Sequence, residues 1–293
     1  MYIEKIKRAL YLNVNYFLLL RAPVIVYSME RSGSVALYRT LRKHRVFVIG
    51  THYLDPKKIT SENLSGSARW ACRNIVLRRK PAKIISLVRH PIDNMLSTFA
   101  RSDFGQQASQ ADRDSTQGES IDSDQVLSEF CESYLQSDRY LHPLQWFTTE
   151  FQAALGVNVY DYPFDKQNGF VKFSEGPYDV LIMRTEITDE KKSRLVADFL
   201  GLPEIEMVNL AITADPSNPL LPGTPGEQTV YAEKYRALKE GIVIPPSYLD
   251  TIVNSQYAKH FFTEQERASI RKNYEGTRGS EAVETEDSGQ ADL

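Results

Sequence analysis

Cysteine is scarce in this chain, and its scarcity excludes two classes of protein. The 293 residues include only Cys72 and Cys131. A disulfide framework needs several pairs of cysteines, and a cysteine metal site needs several closely spaced ligands. Two thiols far apart in the sequence indicate neither. We therefore expect both cysteines to be reduced and structural, which fits a cytoplasmic protein, and we predict no metal site.

The chain also lacks a strong excess of charge of either sign. Its 35 lysine and arginine residues nearly balance its 38 aspartate and glutamate residues, and the net charge is −3. This balance argues against general nucleic-acid binding. The last fourteen residues hold five acids and no lysine or arginine. We predict a disordered acidic tail over 276–293 and a nearly neutral body, which suits one small anionic ligand in a local basic pocket.

No apolar run is long enough to cross a membrane, which takes about 20 residues. The N-terminus reads MYIEKIKRALYLNVNYFLLLRAPV, and Asn13 and Asn15 interrupt its apolar stretch. It resembles a signal peptide, but no small-residue cleavage site precedes the first strand. We expect no transmembrane segment, and we predict a helix over 1–21 that packs on the body. The alternative is a peripheral anchor at a membrane surface.

The sequence does contain short β-branched runs that alternate with amphipathic stretches. This alternation is typical of an α/β domain with a mostly parallel sheet flanked by helices. We predict one such domain over 22–275, with a flexible insertion at 102–124 that is rich in Ser, Gln and Asp. The predicted strands are 23–27, 45–50, 83–88, 157–160 and 180–183. The predicted helices are 34–42, 61–79, one that opens at His90 and Pro91, 125–155, 191–200, 230–240, 247–254 and one that begins with a capping box of Thr263 and Glu266.

The turn after the first strand has the layout of a phosphate-binding loop. Residues 24–41 read VIVYSMERSGSVALYRTL, a strand, a small polar turn and a helix. Gly33 lets the backbone approach an anion, and the amides of Gly33, Ser34 and Val35 would point toward it. Arg31 adds a forked cation that matches phosphate or sulfate oxygens. The alternative is an ordinary strand-to-helix turn with Arg31 on the surface.

Two further candidates follow the next two strands, and ligands in such sheets bind beyond the carboxyl ends of the strands. Arg89 ends the third strand, and Ser97 lies about two turns into the next helix. This pair could hold a second phosphate, or could serve as a helix cap and a packing residue. His52 follows the second strand, where it could act as a general base or be an ordinary loop histidine.

The three motifs together resemble a known family. The turn Arg31-Ser32-Gly33-Ser34 is similar to the 5′-phosphosulfate loop of sulfotransferases, especially the carbohydrate type. Arg89, Pro91 and Ser97 resemble their 3′-phosphate motif, and LIMRTEITDEKKSRLVADFLGLP at 181–203 resembles a later strand and helix. Two more segments look like the sulfotransferase-like bacterial family of "putative capsular polysaccharide synthesis" proteins. They are DYPFDKQNGF at 161–170 and PSYLDTIVNSQYAKHFFTEQE at 246–266.

This resemblance, which covers about residues 22–275, implies a P-loop-like sulfotransferase fold and a donor, 3′-phosphoadenosine-5′-phosphosulfate. The acceptor would be a hydroxyl of a capsular or extracellular glycan. His52 would take the hydroxyl proton, and Arg31 would stabilise charge on the departing phosphate. The resemblance also places three residues at the 3′-phosphate: Lys234, Tyr235 and Arg236. Three more are family-like without an assigned role, with His260 as the reserve base: Tyr257, Lys259 and His260.

The sequence departs from the sulfotransferase pattern at Val35, where many sulfotransferases have Thr or Ser, and at Arg31, where many begin the loop with Lys. One hydroxyl contact to the donor is therefore missing. Two other functions stay open. The chain could be a non-catalytic binding protein of polysaccharide assembly, or a kinase with a variant phosphate loop. A kinase would need a loop lysine, a hydroxyl on magnesium and an acidic metal partner.

Overall fold

The computed structural model describes residues 2–58, 64–102, 123–208 and 225–275. Within these described residues, five strands form one sheet: β1 (Val24–Tyr27), β2 (Val48–Thr51), β3 (Ala82–Val88), β4 (Phe170–Glu175) and β5 (Tyr178–Arg184). Their order is β2-β1-β3-β5-β4. The first four in this order are parallel, and β4 pairs with β5 in the antiparallel sense. The predicted α/β class with a mostly parallel sheet is confirmed.

Helices surround the sheet. Those in the described residues are α1 (Tyr2–Asn13), α2 (Ser34–Lys43), α3 (Gly66–Ala71), α4 (Pro91–Ser102), α5 (Ser123–Glu129), α6 (Leu141–Trp146), α7 (Ala153–Leu155), α8 (Asp189–Leu200), α9 (Pro225–Gly241), α10 (Pro246–Asn254), α11 (Gln256–Phe261) and α12 (Glu264–Tyr274). Four π-helical turns continue them, at Val14–Leu18, Cys72–Val76, Phe130–Leu135 and Phe147–Gln152. None of these described helices has the length and apolar character needed to span a membrane.

Both faces of the sheet are covered, which explains why its central strands are continuously apolar. In β1, Ile25 and Tyr27 pack into the larger apolar cluster, while Val24 and Val26 pack into the smaller one on the other face. Every residue of β3 except Lys83 is buried. The alternating, buried side chains fix the register, because a slip of one residue would exchange the two faces.

The N-terminal helix α1 packs on the body by one face. Leu12 is buried, and the Tyr11 hydroxyl donates to the Val46 carbonyl at 3.3 Å. The indole of Trp70 donates to Asn13 Oδ1 at 3.1 Å and meets the ring of Tyr16 edge-on. These contacts hold the helix beside the edge strand β2.

Several predicted boundaries are wrong for local reasons. The predicted strand 157–160 is instead a 3₁₀ turn, Val159–Asp161, because the Asn158 side chain accepts from the Tyr160 amide and caps it. The predicted strand 45–50 begins only at Val48, since Arg45 has a left-handed backbone with φ 56°. Asp138, also left-handed, lies in the break of the predicted helix 125–155.

Other predictions fall partly or wholly outside the described residues. Most of the insertion predicted at 102–124 and the whole tail at 276–293 lie there, although Ser102 ends α4 and Ser123 begins α5. The predicted helix 61–79 is realised as α3 and the π-helical turn after it. Strand β4 was not predicted.

Candidate functional site

The sheet order creates a crevice at the carboxyl ends of β1 and β3. The chain passes from β1 to β2 on one side and then crosses to β3 on the other, so the direction of winding reverses between these neighbours. Ligands of open α/β sheets bind at such a point. The loop after β1 carries Arg31, the loop after β3 carries Arg89, and Thr185 follows β5 directly.

Two left-handed residues shape the loop after β1. Arg31 has φ 62° and Gly33 has φ 83°. Gly33 is suited to that conformation, whereas a left-handed arginine is uncommon and strained, so the surrounding structure must hold it. The Ser32 hydroxyl donates to the Met29 carbonyl at 2.8 Å and closes the turn. Helix α2 then starts at Ser34 without a side-chain cap on its first amides.

The structure brings the two predicted anion motifs, the turn 31–34 and the pair Arg89 and Ser97, into direct contact. Arg31 Nε donates to Ser97 Oγ at 3.0 Å, and Arg89 Nη1 donates to the Arg31 carbonyl at 2.6 Å. Arg89 Nη2 reaches the hydroxyl of Tyr235 on α9 at 3.3 Å. Both of these Arg89 acceptors are neutral, so they do not compensate the charge of the guanidinium. A half-buried guanidinium with neutral acceptors, as at Arg89, favours an anionic ligand nearby.

Tyr257 and Thr185 position this pair of loops. The buried Tyr257 hydroxyl accepts from the Arg89 amide at 3.1 Å and donates to the Arg89 carbonyl at 2.6 Å. Burial raises the pKa of Tyr257 well above its usual value, so the hydroxyl stays a donor. The Thr185 hydroxyl lies 2.9 Å from the Ser32 carbonyl and 3.0 Å from the Val88 carbonyl, which ties β5 to both loops.

His52 lies on the other side of the β1 loop from Ser97. Its Nδ1 is 2.7 Å from the Ser28 carbonyl. Because a carbonyl only accepts, Nδ1 carries the proton in the neutral ring, and Nε2 is left as the basic nitrogen. His52, Ser34 and Val35 line one cavity of about 290 Å³. The histidine therefore shares a cavity with the first turn of α2, although no hydrogen bond joins it to Arg31.

A buried carboxylate fixes the segment that follows His52. Glu150 is 2% exposed, and its Oε1 accepts from the amides of Leu54 at 2.9 Å and Asp55 at 3.2 Å. The same oxygen accepts from the Tyr27 hydroxyl at 3.2 Å. Burial, together with the charge of Glu150, raises the pKa of Tyr27. Glu150 thus links the end of β1 to the loop after β2.

Of the remaining residues that the resemblance singled out, some lie near Arg89 and others do not. Lys234 is buried on α9 beside Tyr235, whereas Arg236 and Lys259 are exposed. His260 packs against the rings of Tyr160 and Phe164, away from the β1 loop, and burial lowers its pKa. The structure therefore brings Tyr235 to Arg89, but it does not bring His260 to the loop residues.

Sequence reasoning missed Thr185 and Glu150 as parts of this site, and it singled out Tyr257 only as a family-like residue without a role. Thr185 had a usable signal, because it follows a parallel strand as Arg89 does. The other two are distant in sequence and reach the site only through tertiary packing. In the described residues, no group of three or more His, Cys, Asp or Glu side chains could hold a metal ion.

One comparison with known proteins gives a match. Residues 121–263, just under half of the chain, match the model of a family described as "putative capsular polysaccharide synthesis protein". This part contains α9 and Tyr257, while the loops with Arg31, His52 and Arg89 precede it. No curated protein matches the chain. No solved structure matches it either. The class supported by fold and match is an α/β protein similar to capsular polysaccharide synthesis proteins.

Proposed function

We propose that the protein is a sulfotransferase. It would move a sulfuryl group from 3′-phosphoadenosine-5′-phosphosulfate to a hydroxyl of a capsular or extracellular polysaccharide or its precursor. The observation that carries the proposal is the contact between the two anion motifs, Arg31 Nε to Ser97 Oγ at 3.0 Å and Arg89 Nη1 to the Arg31 carbonyl at 2.6 Å. A donor with phosphate groups at both ends needs two such sites on one edge of the sheet.

The residues can be given roles that fit their positions. The amides that begin α2 would bind the 5′-phosphosulfate, and Arg89 with Ser97 would bind the 3′-phosphate. The 3′-phosphate would then replace Arg31 Nε as the partner of Ser97. The Arg31 guanidinium would then turn toward the 5′ end and stabilise the charge that builds up on the leaving phosphate. Donor binding and placement of Arg31 would thus be coupled.

His52 would supply the base. The acceptor hydroxyl would enter the cavity that His52 shares with Ser34 and Val35. Its oxygen would bond to sulfur, the bond from sulfur to the 5′-phosphate oxygen would break, and the proton would pass to His52 Nε2. The products would be a sulfated hydroxyl and 3′-phosphoadenosine 5′-phosphate. Removal of a positioned base costs about 10² to 10⁴ in rate.

Transfer of labelled sulfate to a panel of capsular glycans tests the proposal. We expect transfer by the wild type and a loss of at least about 10²-fold for Arg31→Ala and for His52→Ala. Arg45→Ala is the matched control, because Arg45 is also a left-handed arginine, with φ 56°, and lies away from the loop. Unchanged transfer in both site variants would remove the mechanism.

A second candidate function is a non-catalytic binding protein of polysaccharide assembly. Val35 favours it, because a valine in the first turn of α2 supplies no hydroxyl to the donor. This candidate predicts that the wild type transfers no sulfate to any glycan acceptor and still binds glycan. The sulfate-transfer assay therefore distinguishes the two candidate functions.

A further inference from the structure

The outer surface of the N-terminal region is apolar where a surface helix is normally polar. In the described part of the chain, ten large apolar side chains are exposed, and seven lie within the first twenty residues. These seven are Ile3, Ile6, Leu10, Phe17, Leu18, Leu19 and Leu20. A helix of a soluble domain buries its apolar stripe and turns its polar face outward. From Ile3 to Leu10, by contrast, the apolar side chains are as exposed as the polar ones.

Packing at the C-terminal end of α1 fixes the orientation of the helix. Ile3, Ile6 and Leu10 recur at spacings of three and four residues and therefore share one helix face. Leu12, which is 4% exposed, lies on the opposite face and packs into the core. The contacts of Tyr11, Asn13 and Tyr16 described above prevent the helix from rolling over. These contacts therefore keep the apolar face of the helix exposed.

The exposure and backbone conformation of Leu20 also indicate that this surface is functional. It is 83% exposed and has a left-handed backbone with φ 51°. Leucine is disfavoured in that conformation, where Gly or Asn is favoured. An exposed leucine there contributes little to the fold, so a role outside the folded chain accounts for it better.

Basic residues lie beside this apolar surface. The first basic segment, residues 2–22, ends with Arg21 after Leu20, whereas Lys7 pairs with Glu4 at 3.0 Å and Arg8 lines the cavity of His52. A second basic segment meets the first at the amino-terminal edge of the sheet. Val24 of β1 pairs with Lys83 of the neighbouring strand β3. Arg21 precedes Val24 by three residues, and Lys80 precedes Lys83 by three residues, so both cations lie at the same edge of the sheet. Leu77, Arg78 and Lys80 of that second segment are exposed.

We propose that these residues form a docking surface for a bilayer that contains anionic phospholipids. The docking surface consists of Ile3, Ile6, Leu10, Phe17–Leu20 and Leu77 with the cations Arg21, Arg78 and Lys80. Apolar side chains enter the boundary between head groups and acyl chains, and the cations pair with lipid phosphates. Charge decides the occupant, because a second copy of this chain would bring the same cations against each other. The proposal does not depend on sulfuryl transfer.

Flotation of the full-length protein with lipid vesicles tests the docking surface. Vesicles of phosphatidylcholine alone are compared with vesicles of equal parts phosphatidylcholine and phosphatidylglycerol. We expect binding to the mixed vesicles and a loss of at least about tenfold in the double variant Leu18→Asn, Leu20→Asn. Asn is well tolerated in the left-handed region at position 20, and Leu18 is 75% exposed, so this variant should keep its thermal stability. Val243→Asn is the matched control, since Val243 is exposed elsewhere.

A charge variant separates the electrostatic contribution to membrane binding from the apolar one. Arg78→Gln with Lys80→Gln should weaken binding to the mixed vesicles, and added salt should weaken wild-type binding. Three results would overturn the proposal. They are no binding to mixed vesicles, binding that both double variants retain, and a wild-type dimer in sedimentation that Leu18→Asn, Leu20→Asn dissociates. Titration with 3′-phosphoadenosine 5′-phosphate should be unaffected by these substitutions, which keeps this test separate from the proposed activity.

Discussion

Arg31 connects the two predicted anion motifs through both its backbone and its side chain. Its carbonyl accepts from Arg89, its Nε donates to Ser97, and its φ of 62° lies in the left-handed region. Strained residues of this kind persist where surrounding contacts hold them, and they cluster at binding sites. We therefore regard Arg31 as the residue that would sense whether the 3′-phosphate position is filled.

Val35 is the residue at which the proposed site departs most from a sulfotransferase loop. Its side chain is 48% exposed and lines the cavity that contains His52. Val35→Thr adds a hydroxyl with little change of shape and should not lower stability. We expect about a fivefold gain in affinity for 3′-phosphoadenosine 5′-phosphate, the effect of about 1 kcal/mol from one added hydrogen bond. Equal affinities in calorimetric titrations would show that the loop does not contact the 5′-phosphate at this position.

Glu150 is expected to be the most sensitive polar residue in the interior. Glu150→Ala leaves the buried amides of Leu54 and Asp55 and the Tyr27 hydroxyl without this acceptor. We expect a loss of about 3 kcal/mol in the free energy of unfolding, measured by urea titration. The exposed Glu132→Ala is the control and should change stability by less than about 0.5 kcal/mol. Similar losses in both variants would contradict the role given to Glu150.

At this scale, the sequence could point to residues that follow predicted strands, to Ser97 in the next helix and, through the family resemblance, to Tyr235. Arg31, His52 and Arg89 are found by the rule that ligands lie beyond the carboxyl ends of parallel strands. Glu150 and Tyr257 are not, because they come from helical segments far along the chain. Only tertiary packing brings them beneath the loops, and no local pattern encodes that packing.

At the scale of elements, local signals predicted those with strong periodicity or clear caps. The capping box of α12 is confirmed, with the Thr263 side chain accepting at 3.2 Å and the Glu266 side chain at 2.8 Å. The edge strand β4 was missed because FVKFSE is short, half of its residues are polar, and none of them is buried. Its pairing with β5 decides its conformation, since strand propensity depends on context.

The histidine at the start of helix α4 should make the stability of the protein depend on pH. His90 caps it, because the Asp93 amide donates to His90 Nδ1 at 3.3 Å. Burial lowers the pKa of His90 below its usual value, although the charges of Asp93 and Glu186 act in the opposite direction. The unfolded histidine takes up a proton at about pH 6.5 and the folded one only at lower pH. The unfolded state therefore binds more protons in that window, and stability falls as the pH drops below about 6.5.

His90→Asn tests this dependence while keeping a capping acceptor. Urea unfolding at about pH 7.5 and about pH 5.5 should show a larger loss of stability in the wild type than in the variant. Part of the dependence should remain, because burial also lowers the pKa of His260. An equal loss in both proteins would mean that His90 is not responsible.

At the scale of the whole molecule, the proposed site is assembled from both halves of the chain. The loops with Arg31, His52 and Arg89 belong to the first half, whereas Tyr235 and Tyr257 belong to the part that matches capsular polysaccharide synthesis proteins. Contacts of Arg89 with both tyrosines join the halves at the carboxyl edge of the sheet. A nucleotide bound there should stabilise the fold as a unit.

Calorimetric titration of the full-length protein with 3′-phosphoadenosine 5′-phosphate is the most direct test of the central claim. We expect one site per chain, with affinity reduced at least about tenfold by Ser97→Ala and more by Arg89→Ala, since a hydrogen bond to a charged group contributes about 1.5–3 kcal/mol. Arg45→Ala should bind as the wild type does. Absence of binding by the wild-type protein at millimolar ligand would contradict the account.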